Sequence, residues 1–229
     1  MSTIVENLQQ VRERMEAACA AAGRSADAVR LIAVTKFVDV ARIEEAVAAG
    51  VREVGENRAQ ELTEKLTFFE QHGCDVHFIG QLQTNKIKYV CGAVKLIHSV
   101  DRLPLAQQLQ RRAASLGLVQ DVLLQVNVGD EAQKGGAAVD ALLPLLESVA
   151  QLPNLCVRGL MCVPPALPPE QARAYFASLR ELLFTAHNRF PELPLTELSM
   201  GMTHDFEAAI LEGATMVRVG TGIFGARRT

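Results

Sequence analysis

The sequence predicts an α/β protein: a single (β/α)8 TIM barrel over residues 1–229, with one extra helix before its first strand. Three observations carry this. Short apolar runs alternate with helical patterns along the chain, which requires parallel strands joined by crossover helices. The alternation gives eight such runs, and eight parallel strands close into a barrel. A length of 229 residues suits one barrel, and no Pro/Gly/Ser linker or composition shift divides it.

Each element has a local reason. Thr3 and Glu6 have the spacing of a capping box, so a helix opens there and Gly23 can close it. Ile4, Leu8, Val11, Met15 and Ala18 share one face of that helix, which is expected to cover the barrel's lower end. Residues 31–34 form the first strand, ending in Thr35-Lys36; Asp39 caps the next helix and Gly50 stops it. A strand at 51–55 leads into a helix at about 57–71, with Leu62, Leu66 and Phe69 on one face. After a strand at 76–79, Thr84 is expected to cap a short helix reaching Cys91. A strand at 94–98 follows, and Asp101 is expected to cap a helix ending near Gly117. Residues 122–128 read as the longest strand. Its helix begins near Ala141, because Pro144 is tolerated only in a first turn. A strand at 156–161, a proline loop at 164–169 and a long helix to about 189 come next. A strand at 196–198, a helix at 204–212 and a strand at 216–219 complete the alternation.

Composition narrows the function. Apolar residues make up 49%, enough for a large core, and a net charge of −3 with mixed signs gives no reason to expect a nucleic-acid or membrane-surface partner. The start, MSTIVENLQQVRERME, is polar and helical in pattern and does not read as a signal peptide. No apolar run approaches membrane-spanning length. Cys19, Cys74, Cys91, Cys156 and Cys162 are scattered without CxxC spacing, which argues against disulfides or a metal site and fits a reducing cytoplasm. No exposed apolar stripe demands a dimer, so a monomer is expected.

Chemistry concentrates in residues 198–227. One backbone-rich turn, 200–203, leads into a helix start. The other, 220–225, has glycine at 220, 222 and 225. Close backbone approach, the hydroxyls of Thr203 and Thr221 and a free helix start together suit a phosphate. In this fold phosphate often binds after the seventh and eighth strands, where these turns lie. Strand alternation puts Ile32, Val34 and Lys36 on one face, and Met216, Arg218 and Gly220 on another. With the apolar members filling the barrel, Lys36 and Arg218 point into its mouth, and each should have a partner. A lysine in a partly dry mouth beside another cation becomes nucleophilic toward aldehydes. Two ligand classes remain open: a phosphorylated sugar, or pyridoxal 5′-phosphate, whose aldehyde and phosphate flank a ring. Arg218 facing a pyridine nitrogen would keep it unprotonated and weaken the ring as an electron sink. A sugar aldolase would want a carboxylate or tyrosine in the mouth. Glu56 and Asp205 are available but not singled out by alternation, and Tyr89 and Tyr175 lie in helical stretches.

At LIAVTK (31–36), GENRAQE (55–61), HFIGQLQTNK (77–86), HSVD (98–101), VNVGDEAQKGG (126–136), RGLM (158–161) and SMGMTHDFEAAILEGATMVRVGTGIFGAR (199–227) the chain resembles the pyridoxal-phosphate homeostasis protein family. The resemblance implies the fold-type III barrel of the alanine racemase N-terminal domain, with pyridoxal phosphate as cofactor. It implies Lys36 as the Schiff-base lysine and Arg218 as partner of the ring nitrogen. Met202-Thr203 and Gly220-Thr221 would hold the phosphate, and Asn57 would lie near the ring. It further implies a carrier or buffer in vitamin B6 and amino-acid homeostasis without turnover of its own, with pyridoxal-phosphate-dependent apo-enzymes as recipients. The alternative is an enzyme of racemase or decarboxylase type on a small amino acid; against it, the chain has no second β-rich domain to supply a catalytic tyrosine. Thr203 stands where the family usually has serine, and keeps the hydroxyl. His204 replaces a small or acidic residue and is expected to face solvent, with a cationic contact to phosphate as the other reading. Lys86 and Lys134 lie near the mouth, as solvated lysines or as a second pyridoxal phosphate site.

Overall fold

The computed structural model describes residues 3–131 and 133–226. The first two residues, Ala132 of the VNVGDEAQKGG block and Arg227, which closes the last block, lie outside the described residues. Helix α1 (Ile4–Ala21) precedes β1 (Arg30–Val34), α2 (Val40–Ala48), β2 (Glu53–Glu56), α3 (Ala59–Gln71) and β3 (Asp75–Phe78). Then come α4 (Ile87–Val90), β4 (Leu96–Val100), α5 (Leu103–Leu116), β5 (Gln120–Gln125) and α6 (Leu142–Ala150). The chain continues through β6 (Leu155–Met161), α7 (Pro169–Arg189), β7 (Glu197–Met202), α8 (Phe206–Leu211), β8 (Met216–Val219) and α9 (Thr221–Phe224). The strands pair in sequence order and β8 pairs with β1, so the sheet is a closed barrel of eight parallel strands. The expected fold class is the observed one.

Local signals at α1 and α2 act as read. Thr3 N–H donates to Glu6 Oε2 at 2.8 Å and Glu6 N–H to Thr3 Oγ1 at 3.2 Å, which closes the capping box. Asp39 Oδ1 accepts from Arg42 N at 3.0 Å at the start of α2. Two expected caps do not form. Gln83, not Thr84, precedes the 3-10 turn before α4, and Thr84 is its first residue. Arg102, not Asp101, stands at the start of α5, while the Asp101 carboxylate pairs with the Arg102 guanidinium. Each polar side chain lies one residue from where a cap is needed. The longest strand is the seven-residue β6, because Val126 leaves the ladder after β5 to make a single bridge to Ala137.

The inside of the barrel is filled in part by Ile32, Leu96, Leu123, Met161 and Met216, all nearly inaccessible to water. Ile32 and Met216 therefore point inward, which fixes the phase of β1 and β8. At Gly159 of β6 the backbone adopts φ 155°, and a Cβ there would lie 1.9 Å from the Glu197 carbonyl oxygen, so the β6–β7 contact admits only glycine.

The extra helix α1 does not cover the lower end. It packs against α8, α9 and α2 on the outside of the barrel. Near its start, Asn7 Nδ2 donates to the Ile223 carbonyl in α9 at 2.9 Å, at the upper rim. Beyond its end, Arg24 donates to the carbonyls of Ile210 (3.0 Å) and Ala214 (2.8 Å), at the lower rim. It thus runs from top to bottom between the last and first strands. That is the place and direction of the helix that would follow β8, which α9, with four residues, is too short to supply. Leu8, 1% exposed, is central to this packing. Leu8→Ala should cost about 2–5 kcal/mol in urea unfolding, whereas Val5→Ala, 53% exposed, should stay within about 0.5 kcal/mol. Equal effects would show that α1 is not part of the barrel wall.

Candidate functional site

At the carboxyl end of β1 the chain turns sharply through Thr35–Val38, closed by Val38 N–H to the Thr35 carbonyl at 3.1 Å. Lys36 occupies its second position. Phe37 occupies the third with φ 61°, a conformation that costs a bulky residue roughly 1–3 kcal/mol. The neighbours of Lys36 are held on both sides. Buried Lys65 of α3 donates through Nζ to the Thr35 carbonyl (2.8 Å), Glu56 Oε1 (2.9 Å) and Glu61 Oε2 (3.3 Å). Thr35 Oγ1 donates to the same Glu56 oxygen at 2.6 Å, and Phe37 N–H donates to Glu61 Oε2 at 2.7 Å. The Arg58 guanidinium lies over the Phe37 ring at 4.6 Å. This cluster holds Lys36 at a fixed corner, half-buried.

Lys36 lines a cavity of about 500 Å³ with Val34, Arg42, Gly220, Thr221 and Phe224. Its far wall is where β8 passes into α9. Thr203, at the end of β7, joins that wall: its Oγ1 lies 3.2 Å from Thr221 Oγ1 and accepts from Gly222 N–H at 3.2 Å. The two turns thus meet as expected, but unequally. The helix start of the first lies farther on, since α8 begins only at Phe206, and the Asp205 carboxylate accepts from the Met202 N–H at 2.6 Å. Burial pushes the Asp205 carboxyl above its ordinary range, against the Met202 hydrogen bond and the charges of Arg218 and His204. In the second turn the glycines open a single helical turn, α9.

Arg218 lies on the same face of β8 as Gly220 and about 7 Å below it, 4% exposed. Its Nη1 donates to Ser199 Oγ at 2.6 Å and its Nη2 to the Cys162 carbonyl at 2.8 Å. The expected partners exist but are neutral. Burial draws the guanidinium below its ordinary pKa and pushes the adjacent Cys162 thiol up to about 12, so the thiol carries no charge near neutrality.

Other expected residues are spread around this centre. Asn57 lines a neighbouring cavity of about 220 Å³ with Gln60, Gln81 and Lys86, and its Oδ1 is buried without a hydrogen-bond partner among the described residues. His204 is exposed. Lys86 is exposed beside Tyr89, whereas Lys134 is tethered by the Pro164 carbonyl at 2.9 Å and by Glu131. The sequence reading does not single out Ser199, His98, His77, Glu53 or Lys65, all drawn into buried polar contacts here. The strand alternation applied to β1 and β8 would have found the histidines had it been applied to β3 and β4.

A barrel with a lysine at the end of β1, an arginine inside β8 and a hydroxyl-lined turn beyond it matches the family model described as alanine racemase, N-terminal domain, over residues 4–228. The chain is 47% identical over 224 residues to the pyridoxal phosphate homeostasis protein of Aquifex aeolicus, covering 97% of this chain and 98% of that one. It is 41% identical over 233 residues to the protein of the same name from Escherichia coli K12, with 99% and 98% covered. Among solved structures, PipY of Synechococcus elongatus with pyridoxal phosphate bound superposes at a TM-score of 0.86 and 37% identity, covering 97% of this chain and 100% of that one. Alanine racemase of Corynebacterium glutamicum shares only the fold, at TM-score 0.66 and 15% identity, with 97% of this chain matching 62% of that one. The chain belongs to the pyridoxal phosphate homeostasis protein family, built on the alanine racemase N-terminal-domain barrel.

The Lys65 cluster yields a test. Burial raises the Glu56 carboxyl above its ordinary value, against the hydrogen bonds of Thr35 and Lys65. Lys65→Met removes the cation and leaves Glu56 buried, which should cost about 3–5 kcal/mol at neutral pH. A folded pKa raised above the unfolded one contributes stability that is present at low pH and lost as pH rises through the folded value. The deficit in urea unfolding should therefore be largest at neutral pH and shrink as Glu56 is protonated. A deficit that does not change with pH would contradict the clamp.

Proposed function

We propose that this chain binds pyridoxal 5′-phosphate in the barrel mouth, with Lys36 as Schiff-base lysine, and carries or buffers it for vitamin B6 and amino-acid homeostasis. The observation that carries this is the donor set: an amine fixed at a strand end, a hydroxyl and glycine wall across one cavity, and a buried guanidinium beneath it. These groups fit an aldehyde, a phosphate and a ring nitrogen respectively. When bound, the cofactor supplies the aldehyde and an electron-accepting ring.

The residues of the chain do the holding. Lys36 takes the aldehyde end. Thr203, Thr221 and the backbone at Gly220 take the phosphate. Met202 contributes by keeping Thr203 in place, since its own N–H is engaged by Asp205. Asn57, whose buried Oδ1 has no hydrogen-bond partner among the described residues, approaches the ring from the side of β2. Arg218 stays cationic and keeps the ring nitrogen unprotonated, which makes the ring a weaker electron sink and favours storage over turnover. Tyr89 and Tyr175 lie on the helices α4 and α7, not on a strand of the barrel. Our reading is thus a monomeric, cytoplasmic carrier that acts without a catalytic turnover and delivers the cofactor to apo-enzymes. No described helix is long and apolar enough to cross a membrane.

Mixing the protein with pyridoxal phosphate should give a yellow species that borohydride fixes onto one peptide containing Lys36; mass spectrometry reads the site, and Lys36→Ala should abolish it. An adduct confined to Lys86 or Lys134 would overturn the assignment. Amino-acid turnover lost in Lys36→Ala would replace the carrier by an enzyme.

A further inference from the structure

Inside the barrel, beneath the proposed cofactor site, lies a continuous file of buried polar groups. From Arg218 Nη1 it passes to Ser199 Oγ (2.6 Å), from there to His98 Nδ1 (2.8 Å), and from His98 Nε2 to His77 Nδ1 (2.9 Å). His77 Nε2 then faces Glu53 Oε2 at 3.1 Å, a close polar contact rather than a hydrogen bond, and neither atom has a hydrogen-bond partner among the described residues. Ser199, His98 and His77 are completely buried. Five strands contribute one residue each: β8, β7, β4, β3 and β2.

The direction of every hydrogen bond follows from chemistry. A guanidinium only donates, so Ser199 Oγ accepts from Arg218. The one proton of the serine then has His98 Nδ1 as its acceptor, which leaves the His98 proton on Nε2. That proton goes to His77 Nδ1, and the remaining His77 proton, on Nε2, points at Glu53. The reverse direction would bring two donors to Ser199 and leave its own proton buried without an acceptor. Burial, together with the nearby charges of Arg218 and Arg30, holds the His98 imidazole well below its ordinary pKa, in agreement with a neutral ring. Burial alone would raise the Glu53 carboxyl, but His77, Arg30 and Lys95 together bring it below its ordinary value, so it is charged. Glu53 also lies 3.7 Å from Arg30, which is itself 2.7 Å from Glu197.

We propose that Ser199, His98 and His77 are positioning residues for Arg218, forming a one-way donor chain that ends on Glu53 and fixes the guanidinium toward the cofactor ring. This rests on the reading of Arg218 as the group facing the ring nitrogen. The chain solves a specific problem. A carboxylate directly against Arg218 would orient it but would also neutralise its field at the mouth. Neutral links orient it equally well and place the negative charge on a different strand, beyond three hydrogen bonds and one close polar contact. The cation is held rigidly and its charge remains available to the ligand.

Two measurements test this. The first needs no cofactor: ¹⁵N-histidine NMR of the whole chain near neutral pH should show His77 and His98 both protonated on Nε2 and bare on Nδ1. A proton on Nδ1 of either ring overturns the chain. The second compares Ser199→Ala with Ser199→Thr. The alanine variant should bind pyridoxal phosphate about tenfold more weakly, the usual scale for a lost hydrogen bond to a charged group, with a shifted absorbance maximum of the bound cofactor. The threonine variant, which keeps the hydroxyl, should restore both. Equal affinity and identical spectra in all three proteins overturn the positioning role while leaving the cofactor reading intact. Wild-type protein that takes up no pyridoxal phosphate overturns that reading and the role of the chain with it.

Discussion

Arg218 carries a positive charge into the barrel, and its direct partners are a serine hydroxyl and a backbone carbonyl. A charge so placed is tolerable only if its hydrogen bonds are met and a counter-charge lies within reach. The fold meets both conditions at a distance. Hydrogen bonds pass through Ser199 and His98 to His77, whose Nε2 faces Glu53 at 3.1 Å, while the Asp205 carboxylate acts on the guanidinium from the rim. This places polar groups where barrels of this kind usually pack aliphatic side chains. Ile32, Leu96, Leu123, Met161 and Met216 form only part of the interior.

The second organising point is the corner after β1. Lys36 lies between two residues whose polar groups are held by Lys65, Glu56 and Glu61, and Phe37 is kept in a backbone conformation it would not choose. The hydrogen bonds and the strain act together. An amine that must meet one aldehyde gains from a fixed base, since ordering it beforehand removes part of the entropy cost of binding. Lys65 is the more deeply buried amine of the two, yet it is fully occupied as a structural cation.

How much of this the sequence discloses depends on the range of the interaction. The barrel, its eight strands and the inward phase of β1 and β8 are legible, because alternation and turn residues are local properties. The places of Lys36 and Gly220 at strand ends are legible from strand parity, and those of Thr203 and Thr221 from the polar, glycine-rich turns that hold them. Caps at Thr84 and Asp101 were misplaced by one residue, the usual precision of local signals. The course of α1 was misread because its partners α8 and α9 lie some two hundred residues away. Histidine pairing across β3 and β4, the reach of Ser199 to Arg218 and the burial of Lys65 are long-range facts. A sequence shows such residues as isolated polar side chains within apolar runs and gives no sign of their partners.

The measurement that bears most directly on this account is a crystal structure of the chain with pyridoxal phosphate. The account predicts continuous density from Lys36 Nζ to the cofactor, the ring nitrogen within hydrogen-bond distance of Arg218, and the phosphate against Thr203 and Gly220-Thr221. A ring nitrogen turned away from Arg218, or a phosphate on the Asn57–Lys86 side of the mouth, would contradict it.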